Sequence, residues 1–429
     1  MRTARRVVRT DERPATVIGG KTPVLKSALS HALSVILPAP EHTWLLRACL
    51  YSGESGRRGW DVYRTLVDDP VHALLKSKQG LKTLVPLLLA ALRRNDIAVD
   101  TALRTHFRTA YVREELRSNI YRRILRDVLS TLNAHDVSYI VCKGAALADT
   151  VYADPVLRHC HDIDILLPTD DDLMRAASLL PPMGYRRSGE AEDPETRPAT
   201  WIHDSGLPLL LHRRLFRVPQ YDAPFEHLWR RRRRQSIAGV PAHVLSPADN
   251  LVHVCIQAAS CPASRESLRW VPDAWNLVAR YPNLDWQVVT ESAVQSRLAL
   301  PLSVTLDYLV EELNAPVPQA ALDRLWDAAS QTDAIGCETA LSAALAGSRL
   351  DLNRLIQIGG GWRSRALIVK WILCPSPSYL RSVYHVNRSW LLPFYYVYRP
   401  LRYLNRRLQL LWRDGTWRRI HGAFHISKN

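Results

Sequence analysis

The stretch that most constrains this chain is His161-Asp162-Ile163-Asp164-Ile165-Leu166-Leu167-Pro168. Side chains two apart on a strand share a face, so Asp162 and Asp164 turn one way and Ile163, Ile165 and Leu167 the other. Such a strand is buried on one face and acidic on the other. Two carboxylates ~4 Å apart repel by roughly 4 kcal/mol at an effective dielectric of 20, so a fixed pair calls for a cation or a shared proton between them. Mg²⁺, which takes carboxylate and phosphate oxygens, is the simplest such cation.

Upstream, Tyr139-Ile140-Val141-Cys142-Lys143-Gly144-Ala145-Ala146-Leu147 reads as a short apolar strand that breaks at Lys143-Gly144 into a helix begun by Ala145 and Ala146. A strand, a glycine turn and a helix N-terminus together offer backbone N–H groups and a positive dipole end to an anion. Lys143 and Arg158 could add charge to the same place.

Lys143-Gly144-Ala145-Ala146-Leu147, then Tyr152 with Asp154-Pro155, Arg158, the Asp162-Ile163-Asp164 strand and Gly184-Tyr185 occur in an order and spacing that resemble the uncharacterised nucleotidyltransferase family of the polymerase-β-like superfamily. The likeness continues through Leu211-His212, Leu245-Ser246-Pro247-Ala248-Asp249 and the tail. The resemblance implies an α+β fold, a small mixed β-sheet core flanked by N- and C-terminal helical regions. It implies that Asp162 and Asp164 are catalytic and hold Mg²⁺, that Lys143, Gly144, Ala145 and Arg158 contact an NTP (ATP being the first expectation), and that His212 serves as a donor or an acceptor-site base. A purely structural hydrogen bond is the equal alternative for His212. Members usually carry a third acid on a neighbouring strand, in this family commonly just before the matching histidine. Here that position is Leu211. Asp204 is a possible stand-in, although Asp204-Ser205-Gly206 reads as a hairpin turn. Two functions follow: Mg²⁺-dependent transfer of a nucleoside monophosphate to a small-molecule, peptide or protein acceptor with release of pyrophosphate, or a degenerate enzyme that senses nucleotide or binds a partner.

At 429 residues, 47% hydrophobic and 23% charged, the chain has the composition of a soluble protein of two or three domains. Its net charge of +16 and pI of about 9.8 point to an anionic partner. Nucleic acid is not the expected one, because no helix-turn-helix, zinc-finger or RNA-binding signature is present. The 7 cysteines form no Cys-x-x-Cys pair, which favours reduced thiols and a cytoplasmic location. His159, His161, His203 and His212 cluster in sequence without the close paired spacing of a zinc motif. No apolar stretch approaches the ~20 residues of a membrane span.

In chain order the expected parts are a basic arm over 1–40, a helical domain over 41–132, the nucleotidyltransferase core over 133–245, a second helical domain over 246–346 and a basic aromatic tail over 347–429. In the first helical domain Leu116, Ile120, Ile124, Leu125, Val128 and Leu132 follow helical spacing. Asp170, Asp171 and Asp172 suit a helix start. The run Arg230 to Arg234 reads as a solvated helix end or as a phosphate patch. The tail mixes aromatic side chains with arginines, which suits either docking on the protein itself or peripheral contact with an anionic membrane.

Overall fold

The computed structural model describes residues 36–76, 80–188, 199–216, 223–260 and 268–330, together with 377, 380, 384, 388–398 and 401. Residues 1–35 of the basic arm, the second helical region beyond Ser330 and most of the tail lie outside the described residues.

The helices α1 (Pro40–Leu50), α2 (Gly53–Leu66), α3 (Pro70–Lys76), α4 (Val85–Arg94) and the 34-residue α5 (Thr101–Ala134) come first. Next are β1 (Ile140–Cys142), α6 (Lys143–Thr150), β2 (Ile163–Leu166), α7 (Asp170–Leu179), β3 (Tyr185–Arg187), β4 (Ala199–His203), β5 (Pro208–His212), α8 (Phe225–Arg231), β6 (Arg233–Ile237) and β7 (Val240–Val244). The strands form one 7-stranded mixed sheet in the order β3-β4-β5-β2-β1-β7-β6. Strand β2 is antiparallel to β1 and parallel to β5. Helices α9 (Pro247–Ser260), α10 (Trp270–Arg280), α11 (Trp286–Gln295), α12 (Ala299–Glu311) and α13 (Gln319–Ser330) follow. This is the expected α+β class, a mixed sheet flanked by helices. Among the described residues no helix is long and apolar enough to cross a membrane.

The two faces of the sheet differ. One carries Val141, Ile163, Ile165, Leu209 and Leu211 and shares a core with Tyr121, Leu125 and Val128 of α5. On the other, Ile140, Cys142 and Leu166 form a small cluster with Leu228 of α8 and Leu245. A larger core joins Leu45, Leu88 and Phe107 to Leu251, Leu277 and Leu306, and Leu147 of α6 belongs to it. Helices from both sides of the sheet region in sequence therefore brace one another and the turn after β1.

Local chemistry explains the joints. The β4–β5 hairpin turns at Asp204-Ser205-Gly206, where Gly206 takes φ +83° and pairs Trp201 with Leu209. Asp204 gives its carboxylate to Arg186 at 2.6 Å. Thr169 caps α7 by accepting from the Asp172 N–H at 3.0 Å, with the three acids in the first turn. At α9, Ser246 Oγ accepts from the Asp249 N–H at 3.1 Å, the start that Ser-Pro-Ala-Asp calls for.

Leu116 and Ile120 are more than half exposed. The buried stripe of α5 runs through Tyr121, Leu125, Val128 and Leu132, and at about 100° per residue the other two point away from it. The arginine run is not a plain helix end. Arg230 and Arg231 close α8, while Arg233 and Arg234 enter β6 at the sheet edge. Arg231 pairs with Asp249 through two bonds at 2.7 and 3.0 Å. Exposed charge on an edge strand discourages another strand from adding there.

Candidate active site

Strand β2 sets Asp164 in register with Cys142 of β1 and Leu210 of β5. The carboxylate is buried, and two donors from the flanking strands meet its Oδ1: Lys143 Nζ at 2.5 Å and His212 Nε2 at 2.6 Å. Lys143 opens α6 directly after β1 and takes φ +55°, a left-handed conformation that costs a non-glycine residue on the order of 1 kcal/mol. Burial alone would raise the pKa of Asp164, but Lys143 and His212 hold it well below the usual carboxylate range.

Asp162 stands just before β2 and is partly exposed. Burial and then the charge of Asp164 push its pKa up to about 6. The two carboxylates are thus unlike, one pinned as an anion and one easily protonated. Tyr121 of α5 donates to the Asp162 carbonyl at 2.9 Å. His161 Nε2 lies 3.4 Å from Asp162 Oδ2, and its Nδ1 faces Arg269 Nη1 and Nη2 at 3.3 and 3.4 Å. A guanidinium has only donors, so Nδ1 accepts and the imidazole proton sits on Nε2, toward Asp162.

Arg158, expected at the phosphates, is turned to α10. Asp273 accepts from its Nε at 2.7 Å and its Nη2 at 2.8 Å, and Nη1 donates to the His159 carbonyl. Tyr152 donates to the same Asp273 at 2.6 Å. Little of the guanidinium fork is left for a phosphate. Gly144 packs against this arginine: a Cβ there would stand 3.0 Å from Cys160 Sγ and 3.2 Å from Arg158 Nη1. Ala145 is buried in the core shared with α5, so an anion could meet only its backbone, in the helix turn whose N–H groups have no partner within the helix.

Leu211 needs a correction as well. It pairs with Ile165 and lies in the α5-facing core, so the position just before His212 points away from Asp164. The residues of β5 on the carboxylate face are Pro208, Leu210 and His212. The other histidines go to separate partners: His159 Nδ1 lies 2.7 Å from Glu114 and His203 Nδ1 lies 2.8 Å from Ser205 Oγ.

The profile of a family described as uncharacterised nucleotidyltransferase matches residues 81–314, more than half of the chain. The chain belongs to this family. The matched span holds every side chain of the site, from Glu114 to Asp273. A crystal structure of an antigenic nucleotidyltransferase-like protein from Paracoccidioides brasiliensis is similar at 17% identity, over 47% of this chain and 92% of that one, with a TM-score of 0.30. No curated protein matches the chain.

Among the described residues no three His, Cys, Asp or Glu side chains converge as a metal cage. Two carboxylates on one face suit Mg²⁺ nonetheless, since it is commonly held by one or two carboxylates plus substrate phosphates. The donor set is hard oxygen, and Asp164 is kept ionised, so the residues fit the ion.

Sequence reasoning missed Arg269, Asp273 and His253. His253 of α9 is buried, and burial with the charge of Lys143 holds its pKa down to about 3. Its ring meets Phe216 edge to face, centres 5.5 Å apart. A neutral imidazole here covers the site without adding charge. The one available signal was spacing: Arg269 and Asp273 are four apart, hence on one side of a helix.

Proposed function

We propose that this protein transfers a nucleoside monophosphate from an NTP to an acceptor oxygen, with pyrophosphate leaving. The observation that carries the reading is the pair Asp162 and Asp164 on one sheet face, with Asp164 held anionic by Lys143 and His212, in a chain of a nucleotidyltransferase family. Asp162 and Asp164 would hold Mg²⁺, which when bound would offset the negative charge that develops on the phosphates. Lys143 is the cation beside the triphosphate, and the N–H groups at the start of α6, Gly144 and Ala145 among them, form the cradle. His212 orients Asp164. Arg158 acts from behind, fixing the loop that leads into β2.

The test is incubation with α-labelled NTPs, Mg²⁺ and host lysate, with pyrophosphate measured in parallel. Label on an acceptor together with pyrophosphate, both lost in Asp162→Asn, is the expected result. Failure to bind any Mg²⁺–NTP would sink the reading. A second reading is supported by β5, where no residue on the carboxylate face is an acid: a degenerate enzyme that binds nucleotide as a sensing or partner-binding module. Tight Mg²⁺–NTP binding without pyrophosphate release from any NTP in lysate would select it.

A further inference from the structure

A short helix in the tail turns its apolar side outward. Ser389–Leu391 form a single turn, residues 392–398 are helical, and Leu401 is helical again. Trp390, Phe394, Val397, Tyr398 and Leu401 are between 48% and 72% exposed. The spacing of Trp390, Phe394 and Val397 puts these three on one stripe. Tyr395 and Tyr398 pack on Tyr384, ring centres 4.9 and 6.3 Å apart. A helix docked on its own protein buries such a stripe, so a contiguous exposed one marks an interaction surface.

Charge identifies what it meets. From residue 377 to 429 the sequence carries nine arginines and one lysine against a single acid, Asp414. Exposed Arg388 stands at the head of the stripe. A protein groove would satisfy the apolar side chains but not this excess of cations, which needs an extended anionic surface. Seven helical residues span about 10 Å, far short of the ~30 Å hydrocarbon core of a bilayer, so the helix lies on that surface and does not cross it. Tryptophan and tyrosine settle at headgroup level, and arginine reaches phosphodiester oxygens from there.

We infer that the tail helix is an interfacial anchor for an anionic phospholipid bilayer, with Trp390, Phe394 and Val397 inserted among the headgroups and the basic charge of the tail sequence drawn to lipid phosphates. The inference is independent of the nucleotidyl-transfer reading.

The experiment is co-sedimentation of the full chain with phosphatidylcholine vesicles, with and without phosphatidylserine, at low and high salt. Each basic residue near an anionic surface contributes about fivefold, so binding is expected to be at least about tenfold stronger with phosphatidylserine and to weaken as salt screens it. The double variant Phe394→Asp/Val397→Asp, at exposed positions, should melt like wild type and lose about tenfold or more of the vesicle binding. A triple Arg402→Gln/Arg406→Gln/Arg407→Gln variant should lose the preference for phosphatidylserine. Absence of pelleting, equal pelleting by both vesicle types, or unchanged binding by the aspartate variant overturns the inference. So does a self-association seen by light scattering that the aspartate variant abolishes while vesicles bind neither protein, which would make a second copy the occupant.

Discussion

Asp273 grips Arg158 with both carboxylate oxygens, at 2.7 Å from Nε and 2.8 Å from Nη2, across 115 residues of sequence. Both side chains are buried, so removing one strands a charge, at about 3–5 kcal/mol. Asp273→Asn should lower unfolding stability by about that much in a denaturant titration. Adding Arg158→Met removes the stranded cation and should recover part of the loss. A double variant no more stable than Asp273→Asn would show that packing, not the charge pair, sets the stability.

One helical turn earlier, Arg269 faces His161 Nδ1 and donates to the His159 carbonyl at 2.9 Å. Partners that orient a metal-binding carboxylate commonly matter by about 10–100-fold in affinity. Arg269→Met should therefore weaken Mn²⁺ binding by about that factor, and Arg269→Lys, which keeps one donor, should restore part of it. Nitrogen chemical shifts of His161 should move in Arg269→Met, since the tautomer is no longer fixed. Unchanged shifts and unchanged Mn²⁺ affinity would limit Arg269 to holding the loop.

The unlike carboxylates give opposite pH signatures in the metal-free protein. The pKa of Asp162 rises from 3.8 to about 6 on folding, so the native state holds its proton longer and loses stability as pH rises through that window. Asp162→Asn should match wild type near pH 4 and be the more stable above pH 6. Asp164 is depressed, so its contribution is present above the ordinary carboxylate range and lost as pH falls below it. Asp164→Asn should be the less stable at pH 7, by about 1.5–3 kcal/mol for two bonds to donors that lose their anion. Mg²⁺ should close the gap between wild type and Asp162→Asn. Thermal melts across pH check all three, and parallel curves for the two variants would contradict the assignment.

Local patterns made much of this legible in the sequence. The alternation about Asp162 and Asp164, the Asp204-Ser205-Gly206 turn and the Ser246 helix start are each fixed by neighbours within five residues. Arg158 was misplaced because its partner lies on a helix over a hundred residues away, and no local pattern marks Asp273 as that partner. Leu116 and Ile120 follow the helical spacing yet stay exposed, because apolar spacing on a long helix does not say which residues the core covers. The face of Leu211 was a different case: Leu209-Leu210-Leu211 is apolar in either register, yet once His212 is set beside Asp164 the two-residue period alone turns Leu211 away.

That period leads to the last prediction. A third carboxylate cannot be restored at position 211, since Leu211 is buried among Ile165, Leu209 and the α5 side chains. Leu211→Glu should either hold its carboxyl protonated or cost about 3 kcal/mol or more, as an unpaired buried charge does. Leu210 pairs with Asp164 and is only partly buried, with its Cα about 5 Å from that residue across adjacent strands. Leu210→Glu should fold and place an acid on the face of Asp162 and Asp164, where like charges raise the affinity for a divalent cation. The expected outcome is a lower Tm for Leu211→Glu with Mn²⁺ affinity unchanged, against a near-normal Tm in Mn²⁺ and at least about fivefold tighter Mn²⁺ binding for Leu210→Glu. If pyrophosphate release is also faster in Leu210→Glu, the missing acid limits turnover in the natural chain. Tighter Mn²⁺ binding by Leu211→Glu instead would mean that the faces of β5 are assigned the wrong way round.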